Sequence, residues 1–207
     1  MGKERIKVKI VEGASPSSEY DSLRGPVALS RLFLGEKVKP GDRVIDATCG
    51  NGYDTLFLAG LVGELGRVWS FDIDKDALDA AGRKLRQASL DSMVELVHAG
   101  HERLNEYVKE PVRAVAFNLG YLPGSDRITI TRPETTLTAL EQSLGLLLAG
   151  GVILLAVYTG HPGGADEGSA VDAWASELPS PQFNVWRCRL QNRGEHAPYF
   201  VLIEKTS

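Results

Sequence analysis

Val44-Ile45-Asp46-Ala47-Thr48-Cys49-Gly50-Asn51-Gly52-Tyr53-Asp54-Thr55 carries an apolar run into an acid, then a glycine turn, then the first residues of a helical pattern. In sheets covered by helices on both faces, ligands bind beyond the carboxyl ends of the strands, and glycines let the backbone come close to a bound nucleoside. The turn therefore marks Asp46, Thr48, Gly50, Asn51, Gly52, Asp54 and Thr55 as candidate cofactor-binding residues. Asp72 lies 20 residues beyond Gly52 and ends the run Trp69-Ser70-Phe71, where a carboxylate can receive two ribose hydroxyls; Ile73 then flanks the adenine. Taken singly, each glycine is explained by a tight turn and Asp72 by a helix cap before Ala77. Together they point to a nucleoside cofactor. A dinucleotide stays open as an alternative, although Thr55 replaces the third fingerprint glycine.

Outward from this turn the chain alternates strand-like runs (Val44 to Ala47, Val68 to Asp72, Val94 to His98, Val112 to Asn118, Gly151 to Tyr158) with helical stretches. The latter lie near Thr55 to Leu61, Asp76 to Ala88, Glu102 to Val108, Glu134 to Ala149 and Asp166 to Leu178. Parallel strands need crossover helices, so this spacing predicts a doubly wound α/β domain. Asn184 to Leu190 and Tyr199 to Glu204 are joined by a stretch too short for a helix, which predicts a terminal antiparallel hairpin. At the other end, Ile6, Val8 and Ile10 alternate with Lys7 and Lys9 as in an edge strand, and Pro26 is placed to start a helix. The expected organisation is a single domain over 1–207, with 1–40 as an N-terminal extension and 41–207 as a Rossmann-like core.

The composition, 43% hydrophobic and 24% charged over 207 residues, is that of a soluble globular protein. No apolar run approaches the roughly 20 residues that span a bilayer, and the expected location is cytoplasmic, with no membrane partner. Cys49 and Cys188 stand far apart and in no metal-ligand spacing, so neither a disulfide framework nor a metal site is expected. A net charge of -4 argues against a general nucleic-acid coat, but residues 1–43 hold nine basic against six acidic side chains, leaving room for a local basic face. The exposed first strand and the Leu-rich stretch Leu137 to Leu148 offer surfaces for a homodimer.

A second cluster of chemistry closes the fourth strand. Asn118-Leu119-Gly120-Tyr121 resembles the Asn-Pro-Pro-Tyr signature of methyltransferases acting on amino nitrogens of nucleic-acid bases. A planar amide beside a turned carbonyl accepts hydrogen bonds from a substrate amine, and the aromatic ring stacks on the base, so Asn118, Leu119 and Tyr121 are candidate catalytic residues. His161, leaving the fifth strand in Tyr158-Thr159-Gly160-His161-Pro162-Gly163-Gly164, is a candidate for orienting the substrate or taking a proton; a merely structural loop histidine is the alternative. Asp126 and Arg127 are placed to order their loop or meet phosphate, and Asn192 and Arg193 at the hairpin tip to reach RNA.

Five parallel strands followed by an antiparallel hairpin resemble the class I S-adenosylmethionine-dependent methyltransferases. That resemblance implies that Asp46 accepts hydrogen bonds from the cofactor's α-amino group and that Gly100-His101 contacts the adenine, a capping or core-edge histidine being the alternative reading of His101. Three blocks are more specific: Asp46 to Thr55, Phe117-Asn118-Leu119-Gly120-Tyr121-Leu122-Pro123-Gly124-Ser125-Asp126, and Tyr158 to Gly164. They resemble the bacterial putative rRNA methylase family, which includes the tRNA 5-aminomethyl-2-thiouridine methyltransferases, with Ser125 where glycine is usual. The resemblance implies S-adenosylmethionine as cofactor, Asn118 at both donor and acceptor, and N-methylation of an aminomethyl group on the wobble uridine within a tRNA anticodon stem-loop. An rRNA methyltransferase, a small-molecule N-methyltransferase on the same fold, and a binding module without turnover are the competing readings.

Overall fold

Strand β1 (Arg43–Asp46) lies inside a seven-stranded sheet ordered β3-β2-β1-β4-β5-β7-β6 in the computed structural model, which describes residues 25–120 and 130–206. Its parallel neighbours are β2 (Arg67–Asp72) and β4 (Val112–Leu119), flanked in turn by β3 (Val94–His98) and β5 (Leu147–Val157). The final hairpin, β6 (Phe183–Cys188) and β7 (Tyr199–Lys205), runs antiparallel, with β7 inserted between β5 and β6. The chain thus has the class I methyltransferase architecture, and the strand order reverses between β1 and β4, where such sheets open a crevice for ligands.

The inner strands β1, β4 and β5 are mostly apolar and buried because both of their faces are covered. Along β4, Ala114 and Ala116 enter one core with Val44, Leu58 and Leu154, under helices α1 (Pro26–Lys37), α2 (Tyr53–Val62) and α3 (Lys75–Gln87). Val115, Phe117 and Leu119 enter the other, under α4 (Leu104–Tyr107), α5 (Pro133–Leu146) and α6 (Gly164–Ser176). Side chains alternate along a strand, so Asp46 and Asn118 both face the α1–α3 layer. That parity brings the two halves of the site together.

Several expected boundaries moved for identifiable reasons. The fourth crossover helix ends at Leu146 rather than Ala149, and β5 begins at Leu147, because Leu147 pairs with Val112 across a register irregularity and Gly150 takes a left-handed φ of 71°. Leu146, Leu147 and Leu148 form one apolar run whose periodicity favours neither state. The predicted helix over Glu102 to Val108 is a tight turn at His101–Arg103 followed by a single helical turn. Of the Leu-rich stretch, Leu140 and Leu147 are buried and Leu137, Leu144 and Leu146 pack on the core, while Leu148 is exposed. These leucines serve the fold more than an outer surface. The predicted first strand around Ile6 to Ile10 lies outside the described residues.

Candidate active site

The glycine turn is built against α3. Gly50 and Gly52 have φ of 48° and 79°, in the left-handed region that glycine adopts without steric cost. A Cβ on Gly52 would lie 2.6 Å from Ala81 Cβ and 2.9 Å from its Cα, so the turn sits directly on helix backbone. Lys84 reaches back from the same helix and donates to the Asn51 carbonyl at 2.6 Å. Asp72 then ties the turn to β2: its Oδ2 accepts the Gly50 N–H at 2.7 Å and its Oδ1 the Asp74 N–H at 2.9 Å. Helix α3 is capped instead by Asp74, whose carboxylate accepts from Asp76 and Ala77, so the capping explanation of Asp72 does not hold. Next to it Ile73 is 57% exposed, an apolar side chain at a strand end with nothing folded over it. A glycine turn at a strand end, a carboxylate beside it and an exposed apolar flank form a cradle of the right chemistry for a nucleoside.

Asp46 lies beneath the turn and is completely buried. Its Oδ1 accepts the Thr48 N–H at 3.2 Å and its Oδ2 the Thr55 hydroxyl at 2.6 Å, with Ser70 Oγ a further 2.9 Å from Thr55 Oγ1. Burial, and secondarily the nearby Asp54, pushes the Asp46 carboxyl up to about 7, against the lowering effect of the Thr55 hydroxyl. The residue that breaks the glycine fingerprint, Thr55, is therefore the donor this acid needs. Cys49 is buried beside them, its thiol pushed upward by burial and by Asp46.

Thr48 connects the turn to the end of β4, its Oγ1 accepting the Asn118 N–H at 2.7 Å. The Asn118 side chain donates from Nδ2 to Asp54 Oδ2 at 2.8 Å; a carboxylate only accepts, so the amide oxygen is the end turned elsewhere. Asp54 also binds Arg31 of α1, whose Nε and Nη2 both donate to Oδ1, at 2.9 and 2.6 Å. Leu119 is buried, and its carbonyl accepts the Tyr158 N–H at 3.1 Å, which commits one of its two lone pairs. Tyr158 and His161 stand against Gly120: a Cβ there would lie 3.3 Å from Tyr158 Cβ and 3.6 Å from His161 Nε2. His161 donates from Nδ1 to the Pro162 carbonyl at 3.0 Å. Burial and the charge of Asp54 raise the Tyr158 phenol.

The predicted residues Asp46, Thr48, Asp54, Thr55 and Asn118 are thus joined by direct hydrogen bonds, with Gly50, Asn51, Gly52, Asp72 and Ile73 on one side and Leu119 and His161 on the other. His101 is set apart. It packs edge-on to Phe117 in the α4–α6 core and donates from Nδ1 to the Ala47 carbonyl at 3.3 Å, and burial lowers its pKa. Tyr121, Asp126 and Arg127 lie outside the described residues. Asn192 and Arg193 are exposed at the hairpin tip.

Three residues were missed in the sequence. Arg31 carries no motif and sits in the helix assigned to the extension, and Tyr158 was quoted only as part of a loop. Glu167 of α6, 1% exposed, accepts the Thr131 and Thr136 hydroxyls at 2.6 Å each, while the Thr131 N–H donates to the Gly120 carbonyl at 3.0 Å. Thr131 thereby fastens the chain's return to the strand end that carries Asn118. Nothing in a lone Glu within Ala165-Asp166-Glu167-Gly168 signals burial.

The chain is similar to several known proteins. The sequence profile of the family described as Putative rRNA methylase matches residues 68–204. A chloroplastic tRNA (mnm(5)s(2)U34)-methyltransferase of Arabidopsis thaliana is 42% identical over 187 residues, covering 86% of this chain and 68% of that protein. Among solved structures, a putative rRNA-methylase from Clostridium thermocellum superposes with a TM-score of 0.86 at 41% identity, over 89% of this chain and 99% of the other. A putative methyltransferase from Streptococcus mutans, crystallised in complex with SAH, gives 0.80 at 39% identity with the same coverage. No described helix is long and apolar enough to cross a membrane.

Proposed function

The chain belongs to the putative rRNA methylase family, whose fold and cofactor chemistry make it an S-adenosylmethionine-dependent methyltransferase, and from that premise we propose that it N-methylates an aminomethyl group of tRNA. The proposed acceptor is 5-aminomethyl-(2-thio)uridine at the wobble position of an anticodon stem-loop. The observation that carries this reading is the Asn118 amide, held by Asp54 so that Oδ1 remains an acceptor at the strand end beside the glycine turn. An acceptor oxygen there suits an amine hydrogen and leaves the nitrogen lone pair free to attack.

S-adenosylmethionine supplies an electrophilic methyl carbon on a sulfonium. Gly50, Asn51 and Gly52 hold the nucleoside close to the backbone, Asp72 receives the ribose hydroxyls, and Ile73 covers a face of the adenine. Asp46 supports this turn from below through Thr48 and Thr55. Asn118 Oδ1 and the remaining lone pair of the Leu119 carbonyl hold the amine, Tyr121 stacks on the uracil, and His161 orients the substrate or accepts the proton the ammonium loses. The catalytic gain is that of orientation, which brings an amine lone pair in line with the methyl carbon. An anticodon base can be splayed from its neighbours and so brought to a site at the carboxyl ends of the strands.

The 42% identical relative named for wobble-uridine methylation supports this substrate over an rRNA base. A net charge of -4 favours the second reading, a small-molecule amine. Mass spectrometry of wobble nucleosides, after incubation with methyl donor and tRNA bearing an unmethylated aminomethyl group, separates them. Gain of one methyl group on that nucleoside is the expected result. Methylation of a free amine with no change in any tRNA would sink the proposal.

A further inference from the structure

We infer that Asp54 and Arg31 are positioning residues that set which end of the Asn118 amide meets the acceptor amine. The inference rests on the reading of Asn118 as the amine clamp and adds what decides its polarity. An Asn side chain can present either its oxygen or its NH2 group, and the two are nearly isosteric. Asp54 Oδ2, 2.8 Å from Nδ2, removes that choice, since the flipped amide would set its oxygen against a carboxylate. Arg31 in turn fixes Asp54. Its Nε and Nη2 both donate to Oδ1, while Oδ2 accepts from Asn118. The guanidinium carbon stands 5.4 Å from the centroid of the Phe57 ring, so the arginine is itself held between α1 and α2. With the Asn118 N–H bound to Thr48, the residue is tied at backbone and side chain to one turn, that of Thr48 to Asp54.

An ordinary ion pair between α1 and α2 would stabilise the fold without caring about amide polarity, and that difference is testable. In Asp54→Asn, the new amide offers its oxygen to Arg31 and its NH2 to Asn118. Asn118 then turns its oxygen inward and shows two donors to the amine. In Asn118→Asp, two carboxylates face each other. In the double exchange, the amide at position 54 donates to the carboxylate at 118, whose second oxygen again accepts.

Each variant is assayed for methyl transfer to aminomethyl-bearing tRNA at saturating methyl donor, with cofactor Kd and thermal midpoint measured alongside. Asp54→Asn should lower kcat roughly 10- to 100-fold, the range of a charge-assisted hydrogen bond, with a far smaller change in cofactor Kd. Asn118→Asp should fall at least as far, and the double exchange should recover about tenfold over Asn118→Asp. Arg31→Lys, which keeps the charge but loses the two-donor grip on one oxygen, should also lower kcat at unchanged cofactor Kd, and it serves should Asp54→Asn fail to fold. Wild-type kcat in Asp54→Asn or in Arg31→Lys, or a double exchange no better than Asn118→Asp, would overturn the inference. Full activity in Asn118→Ala would instead remove the clamp on which it rests.

Discussion

Thr55→Val tests the support beneath the cofactor turn, because it deletes one hydroxyl at nearly constant volume. That hydroxyl donates at 2.6 Å to a wholly buried carboxylate, which among the described residues otherwise accepts the Thr48 N–H at 3.2 Å. Burial raises the Asp46 pKa from 3.8 to about 7. A group raised on folding contributes stability that is fully present below its unfolded pKa and is lost as pH rises through its folded pKa, here between about 4 and about 7. The integrated effect is on the order of 4 kcal/mol. The Thr55 hydroxyl favours the charged form, so its removal pushes Asp46 still higher and is felt most where the carboxylate is ionised. At pH 8 the loss should be about 1.5–3 kcal/mol, the range for a hydrogen bond to a charged group, and at pH 5 about 1 kcal/mol, that of a neutral one. For a chain of this size these correspond to midpoint decreases of roughly 3–12 °C and 2–4 °C. Urea unfolding of wild type and variant at both pH values measures the difference directly, and contributions from other titrating groups cancel in it. In an Asp46→Asn background the two differences should converge. A Thr55→Val effect equal at both pH values, or larger at pH 5, would refute the account of Asp46 as a strained buried acid that Thr55 stabilises.

Gly52→Ala combines a left-handed φ of 79° with a Cβ 2.6 Å from Ala81 Cβ, and should destabilise by about 2–5 kcal/mol in equilibrium unfolding. Ala81→Gly added to it should recover only part, because Ala81 Cα at 2.9 Å remains. Asp72→Ala releases the Gly50 N–H and the proposed ribose contact together, so calorimetric cofactor affinity should fall roughly 10- to 100-fold. Glu167→Leu strands the buried Thr136 hydroxyl, takes the acceptor from the part-buried Thr131 hydroxyl and loosens the chain's attachment at Gly120. It should cost about 2–4 kcal/mol of stability and raise KM for tRNA while leaving cofactor affinity within error.

Continuous apolar strands, crossover spacing and a glycine turn are local signals, and they make the parallel sheet, its terminal hairpin and the turn between β1 and α2 legible in the sequence. The boundary between α5 and β5 was not legible, because Leu146 to Leu148 suit either state and only the pairing of Leu147 with Val112 decides between them. Polar contacts across the chain were hidden for a related reason. Arg31, Asp54 and Asn118 are separated by 23 and 64 positions, and a hydrogen bond between such residues leaves no periodicity in any one segment.

The reading of Thr55 shows how a local rule misleads at a functional site. Against a dinucleotide fingerprint it is a missing glycine, whereas in three dimensions it is the hydroxyl that makes a buried acid tolerable. The register supplies the reason: Asp46 pairs with Ala116, two residues before Asn118, so both polar side chains point into the α1–α3 layer. Alternation then places their partners on the α1–α3 face of the sheet. Thr48, Asp54 and Thr55 lie in that turn or the first residues of α2, and Arg31 lies in α1. The glycine turn and the Asn118 amide therefore share one hydrogen-bond network.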